Sequence, residues 1–280
     1  MIAWRHSLFT WKTGVCVNLE QTDKVSVVIA SYNSSAYITR AIHSVLSQNY
    51  ADIEIIIADD ASTDNTCALV SQLDDPRIKL ICLPAHRGQA TARNTAIRAA
   101  TGRYIAFLDS DDYWLSDKLT VQIRNMKARR AVFSHTNYWI KWEDEDSETL
   151  FEVPEKINSD YLLTHGNIIN TSSVVYDAGI LGKIYMPCFP LAEDYATWLT
   201  LLNQFSCRSV LGVCRNLTYR IRRPGSLSSR WVIMRWFHLK VYLDIKKLSL
   251  MRSLYCFFIV QLRSIYKRVE KIISPSRRAG

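Results

Sequence analysis

The stretch Gln89–Asp112, QATARNTAIRAATGRYIAFLDSDD, decides how this chain folds. Gln89–Ala100 spaces its apolar residues as a helix does, and Gly102 is the residue type that commonly follows a helix end. Tyr104–Leu108 (YIAFL) is then a short apolar run that reads as a buried strand, and it leads directly into Asp109-Ser110-Asp111-Asp112. Toward the N-terminus the same grammar repeats. Val25–Ala30 (VSVVIA) reads as a first strand. Ser34 or Ser35 can cap a helix carrying Ile38, Ala41, Ile42, Val45 and Leu46. Ile53–Ala58 reads as a second strand, and Asp64 can cap a helix through Cys67, Leu69, Val70 and Leu73. Ile78–Leu83 reads as a third strand. This alternation predicts right-handed βαβ units, hence an α/β fold with a Rossmann-like, mostly parallel sheet and flanking helices.

Toward the C-terminus the pattern loosens. Asp117–Lys127 reads as a helix, Ala131–Ile140 as extended, and Glu143–Glu148 as an acidic loop. Ile168–Tyr176 reads as a strand. Ala192-Glu193-Asp194 opens a helix through Trp198, Leu199, Leu201 and Leu202, and Arg208–Val213 and Leu217–Arg220 read as extended. A helical tail starts at Ser228 or Ser229.

Ligands of parallel sheets bind outside the carboxyl ends of the strands. Asp59-Asp60 ends the second strand, and Asp109, Asp111 and Asp112 end the fourth, so both clusters are expected around one crevice. Three carboxylates in four positions repel one another unless a cation or hydrogen-bond donors compensate. Magnesium and manganese take such hard oxygens and share them with substrate phosphates. A capped turn is the alternative for a lone Asp-x-Asp. An EF-hand loop is excluded, because its glycine and distal glutamate are missing. A cap explains Asp64 well but not Asp59 or Asp60, whose carboxylates suit a base N–H or ribose hydroxyls. Neither glycine-rich phosphate signature is present, so a metal on Asp111 is expected to hold the phosphates instead.

Four motifs, VSVVIASYNS, IIIADDASTDNT, GQATARNTAIRAATGRYIAFLDSDD and FPLAEDYATWL, together resemble the family 2 glycosyltransferases of GT-A fold over about residues 24–230. LTYRIRRPGSLS resembles the usual end of such a domain. The resemblance implies Ser31 and Tyr32 beside the nucleotide base, Asp60 on the base with Asp59 next to it, and Arg93 near the nucleotide and metal-binding loop. It implies Asp111 as the ligand of Mn2+ or Mg2+, Asp109 on ribose or a metal-bound water, and Asp194 as general base. The implied substrates are a nucleotide-diphosphate sugar, UDP-linked by expectation, and a glycan or lipid-linked acceptor. The chemistry is coherent on its own. A divalent cation neutralises a leaving diphosphate, and a carboxylate on the acceptor side takes the hydroxyl proton as it attacks, with inversion. Asp194 also fits a helix N-cap, and the two roles are compatible. Two other classes stay open. A nucleotidyltransferase would need a glycine-rich basic loop after strand one, where SYNSSAY stands; a non-catalytic binding module would have no use for Asp194.

Weaker signals are His86-Arg87-Gly88, where Arg87 could reach a phosphate, and Trp198, read as core. His135 and His165 lack ligand-like spacing.

The expected organisation is an extension over 1–23, a catalytic domain over 24–230 (nucleotide-sugar half 24–115, acceptor half 116–230) and a tail over 231–280. Hydrophobic residues at 48% and charged residues at 22% allow a full core. From Arg235 onward there are 11 Lys/Arg against Asp244 and Glu270, a net of 11 − 2 = +9, which is the whole excess of the chain. Nucleic-acid binders spread basic surface over the fold, so none is expected as a partner. In the tail, Leu248, Leu250, Leu254, Phe257, Phe258, Ile259, Leu262 and Ile265 interleave with Arg252, Arg263, Lys267, Arg268 and Lys271. This reads as a basic amphipathic helix on an anionic membrane surface, with packing on the protein or in a dimer as the alternative. Seven scattered cysteines without C-x-x-C argue against a disulfide framework, and no secretory leader is expected in the first 22 residues. The expected location is the cytoplasmic face of the inner membrane.

Overall fold

Strand formation starts where apolar, β-branched runs are buried on both faces. The computed structural model describes residues 23–143, 147–204, 210–223 and 231–273. Val25–Ser31 (β1) is wholly buried, and Ile53–Asp59 (β2) and Tyr104–Asp109 (β4) nearly so. Such strands need helices on both sides. With Ile78–Cys82 (β3) they form the parallel array β3-β2-β1-β4. Ile38–Leu46 (α1), Thr66–Ser71 (α2) and Gln89–Ala99 (α3) connect them. The register sets Ser31 opposite Asp59, and Ala30 opposite Asp109, so the carboxylates emerge along one sheet edge.

Beyond β4 the sheet turns mixed. Val175–Asp177 (β8) pairs antiparallel with β4 and with Phe133–Trp142 (β6). β6 pairs parallel with Val210–Arg222 (β9) and antiparallel with Glu148–Phe151 (β7). Tyr113–Trp114 (β5) pairs antiparallel with β9. The remaining helices before the tail are Lys118–Arg129 (α4), Ser159–His165 (α5), Ala178–Leu181 (α6) and Glu193–Gln204 (α7).

Several local expectations are corrected. Most of Ile168–Tyr176 is not strand: Thr171–Ser173 is a 3-10 turn, closed by Ser173 donating through its N–H and its hydroxyl to the Asn170 carbonyl. Short hydroxyl side chains offer the backbone this alternative to a ladder. The two extended pieces after Arg208 are one strand, with irregular register against Thr136–Tyr138; Arg208 itself lies outside the described residues. Ser34 starts α1 with its carbonyl rather than its side chain, and its hydroxyl reaches Ser110 at 2.8 Å. Asp64 accepts from Ser35 N–H and Thr66 N–H, joining the loops ahead of α1 and α2.

Residues 1–22, the loop at 144–146, and Ser228 and Ser229 lie outside the described residues. The C-terminal part runs as Trp231–Lys240 (α8), a π-helical turn Val241–Ile245, and Leu250–Ile273 (α9). Val241 and Tyr242 are fully buried in the same core as Tyr195 of α7. α9 lies along α5 with Ser253 and Cys256 inward. Its opposite face leaves Met251, Tyr255, Phe258, Leu262 and Ile265 exposed at helical spacing. No helix among the described residues is long and apolar enough to cross a membrane.

Candidate active site

A cavity of about 740 Å³ opens at the carboxyl ends of β1 and β4. Ser31, Tyr32, Asp60, Arg93, Asp109, Asp111 and Asp194 all line it. Asp59 does not. Its carboxylate is fully buried and accepts from Ser31 Oγ (2.8 Å), Ser62 N (2.8 Å) and Ser62 Oγ (2.6 Å). Asp60 is similarly engaged: Oδ1 accepts from Arg87 N–H at 2.8 Å and Oδ2 from Gly88 N–H at 2.7 Å, with His86 Nδ1 at 2.8 Å. Gly88, at φ +90°, can turn its N–H toward Asp60 where an L side chain would be strained. Arg87 is exposed and not on the cavity wall. Tyr32 and His86 place their ring centroids 4.0 Å apart at the mouth, an aromatic surface that sequence reading missed.

Arg93 ties the middle of the site together. Buried on α3, it donates to Asp109 Oδ1 and to Glu193 Oε1, each at 2.6 Å. Burial opposes its charge, but Asp109, Glu193 and Asp194 together hold it firmly protonated. Burial pushes Glu193 up to about 7, with Arg93 pulling the other way. Asp111 is raised by burial and by Asp109, and Arg223 Nη2 lies 3.1 Å from its Oδ2. Asp112 has a structural task. It accepts from Ser172 Oγ (2.5 Å) and from Ile221 N–H (2.9 Å), fastening the loop to the 3-10 turn and to β9.

Asp194 is in the first turn of α7 and lines the same cavity. Its Oδ2 accepts from Asn167 Nδ2 (2.9 Å) and Thr171 Oγ1 (3.0 Å). The adjacent Ser172 accepts from Asp109 N–H at 3.0 Å. One three-residue turn therefore holds both Asp194 and the Asp109–Asp112 loop. Three non-glycine residues in left-handed backbone flank the site: Asn33 after Tyr32, Ala61 after Asp60, and Ala192 before Glu193. Each costs about 1–2 kcal/mol, the kind of strain that a packed surrounding sustains at functional sites.

β9 adds Arg220 and Arg222 to the wall, and Arg223, the residue after it, lines the cavity too. Arg220 and Arg222 are two apart on a strand, so they share a face; the alternation was visible in TYRIRR but was read only as a domain end. Trp198 is core, edge-on to Phe107, and His135 is fully buried.

The model of the family described as "Glycosyl transferase family 2" matches residues 26–183. This chain belongs to that family. The glycosyltransferase is 36% identical over 250 residues to "Putative teichuronic acid biosynthesis glycosyltransferase TuaG" of Bacillus subtilis, covering 88% of this chain and 97% of that one. It is 42% identical over 182 residues to "UDP-Glc:alpha-D-GlcNAc-diphosphoundecaprenol beta-1,3-glucosyltransferase WfaP" of Escherichia coli, covering 64% and 70%. Among solved structures, S. aureus TarS 1-349 in complex with UDP-GlcNAc superimposes with a TM-score of 0.66 at 18% identity, covering 91% of this chain and 76% of that one. The mannosyltransferase PcManGT from Pyrobaculum calidifontis, in complex with GDP-Man and Mn2+, gives 0.57 at 19%, covering 81% and 65%. These likenesses establish the GT-A fold of the chain.

Proposed function

We propose that this glycosyltransferase moves a sugar from a UDP-sugar to a hydroxyl of a lipid-linked glycan acceptor, with inversion, during synthesis of a bacterial surface polysaccharide. The observation that carries the reading is the Thr171–Ser173 turn. It ties the Asp109–Asp112 loop, through Ser172, and Asp194, through Thr171, to one turn in the lining of one cavity. WfaP is named for a UDP-glucose donor and a diphosphoundecaprenol acceptor, TuaG for teichuronic acid, and TarS was solved with UDP-GlcNAc.

In this reading the uracil lies against Tyr32 and His86, over the loop that Asp60 anchors. Arg220, Arg222 and Arg223 supply positive charge to the diphosphate. Crowded carboxylates at the end of β4, with Asp111 raised by burial and by Asp109, fit a divalent cation held by Asp111 with help from Asp109. Bound there, Mn2+ or Mg2+ would neutralise charge building on the leaving diphosphate. Asp194 takes the acceptor proton, and Asn167 and Thr171 keep its carboxylate aimed. A base opposite the leaving group gives single displacement, hence inversion.

The exposed apolar face of α9, in the segment that carries the chain's net positive charge, seats the enzyme on the anionic cytoplasmic face of the membrane, where a lipid-linked acceptor resides. A thermal-shift screen of UDP-, GDP- and dTDP-sugars with Mn2+ tests the donor; preference for GDP- or dTDP-sugars would contradict it. Leu262→Asp should release the protein from anionic vesicles, and unchanged flotation would sink the membrane assignment.

A further inference from the structure

Sequence reading set residues 231–280 apart from the catalytic domain, yet α8 reaches the cavity. Met234 and His238, one turn apart on one face, line it together with Asp194 and Asn167. α8 is held there by the core. The ring of His238 lies 4.6 Å from that of Tyr195, the residue following Asp194. The Tyr195 hydroxyl donates to the Leu162 carbonyl at 2.8 Å and meets the Tyr242 hydroxyl at 3.1 Å, so α5, α7, α8 and the π-helical turn lock around one point.

We propose that His238, with the Met234 side chain beside it, binds the sugar ring of the acceptor and presents its hydroxyl to Asp194. An imidazole offers one N–H donor and one acceptor nitrogen, which suits neighbouring hydroxyls. Burial pushes His238 down to about 4, against the pull of Asp194, so the ring is neutral in the working range and keeps one donor and one acceptor nitrogen. The Met234 thioether gives a soft apolar contact for the C–H face of a sugar. Acceptor recognition then begins on the helix that leads to α9.

This inference rests on the glycosyltransferase reading, and its test separates the two. The probe is dodecyl α-GlcNAc diphosphate, titrated calorimetrically into the full chain loaded with UDP and Mn2+. His238→Ala should weaken probe binding about tenfold, the loss of one or two hydrogen bonds. UDP affinity should stay within about twofold of wild type, because no residue assigned to the donor is changed. His238→Asn, which keeps a donor and an acceptor, should recover most of the probe affinity and covers the case in which the alanine variant does not fold. Equal probe binding by wild type and His238→Ala, no probe binding by wild type, or parallel loss of UDP would overturn the assignment. Failure of the glycosyltransferase reading looks different: the wild type would not bind UDP, or would release none from UDP-sugars when the probe is added.

Discussion

Asp59-Asp60 closes β2 and Asp109-Ser110-Asp111 closes β4, the two strands on either side of β1 in the same parallel sheet, and the protein compensates the two pairs in different ways. Asp59 and Asp60 spend their oxygens on Ser31, Ser62, Arg87 and Gly88, mostly on backbone or short hydroxyls that cannot leave. Asp109 and Asp111 face long cations, Arg93 and Arg223, and they line the cavity. The first pair builds the floor of the site. The second is a charge cluster that a ligand can still reorganise. Similar residues at similar positions thus do different work, and the difference lies in what answers their charge.

The sharpest way to break this distinction is Asp111→Ala. Metal-dependent turnover should fall about a thousandfold, the order found when a group stabilising transition-state charge is removed. Stability should stay within about 1 kcal/mol, since a crowded like charge disappears with it. Asp59→Ala should do the reverse. Stability should drop by about 2–3 kcal/mol in urea unfolding, because the buried Ser31 hydroxyl loses its acceptor and the half-buried Ser62 N–H loses its partner. Activity per folded molecule should change far less. A stability loss confined to Asp111→Ala would invert the picture. A smaller effect extends it to a buried base. His135 has both ring nitrogens unpartnered, and burial lowers it to about 3. The unfolded chain takes up that proton below about 6.5 while the folded chain refuses it, so stability is lost as pH falls from about 6.5 toward 3. His135→Leu should remove about 1 kcal/mol of that loss between pH 6.5 and 5.5, where the unfolded histidine is only part-protonated; an unchanged slope would contradict it.

The parallel half was legible because each buried run is short, β-branched and followed by a helical pattern, so β1 to β4 fall where the periodicity puts them. Asp109 and Asp111 were legible for the same reason: a carboxylate directly after a buried strand can only emerge at the sheet edge. The setting of Asp194 was not. Asn167 and Thr171 are 27 and 23 residues away, and the turn that presents Thr171 is closed by the Ser173 hydroxyl and N–H on the Asn170 carbonyl, which leaves no period. α9 misled for another reason. It has two apolar faces, one holding Cys256 and Phe257 inward and one exposing Phe258 and Leu262, and interleaved in sequence they read as one.

Asp194→Asn tests the central claim most directly, with UDP affinity and sugar transfer measured on the same preparation. Asparagine is isosteric, so UDP should bind as in wild type, while transfer falls about a thousandfold with the loss of the base. Transfer within tenfold of wild type would contradict the account, since the Asp194 carboxylate would then not be needed to take the acceptor proton.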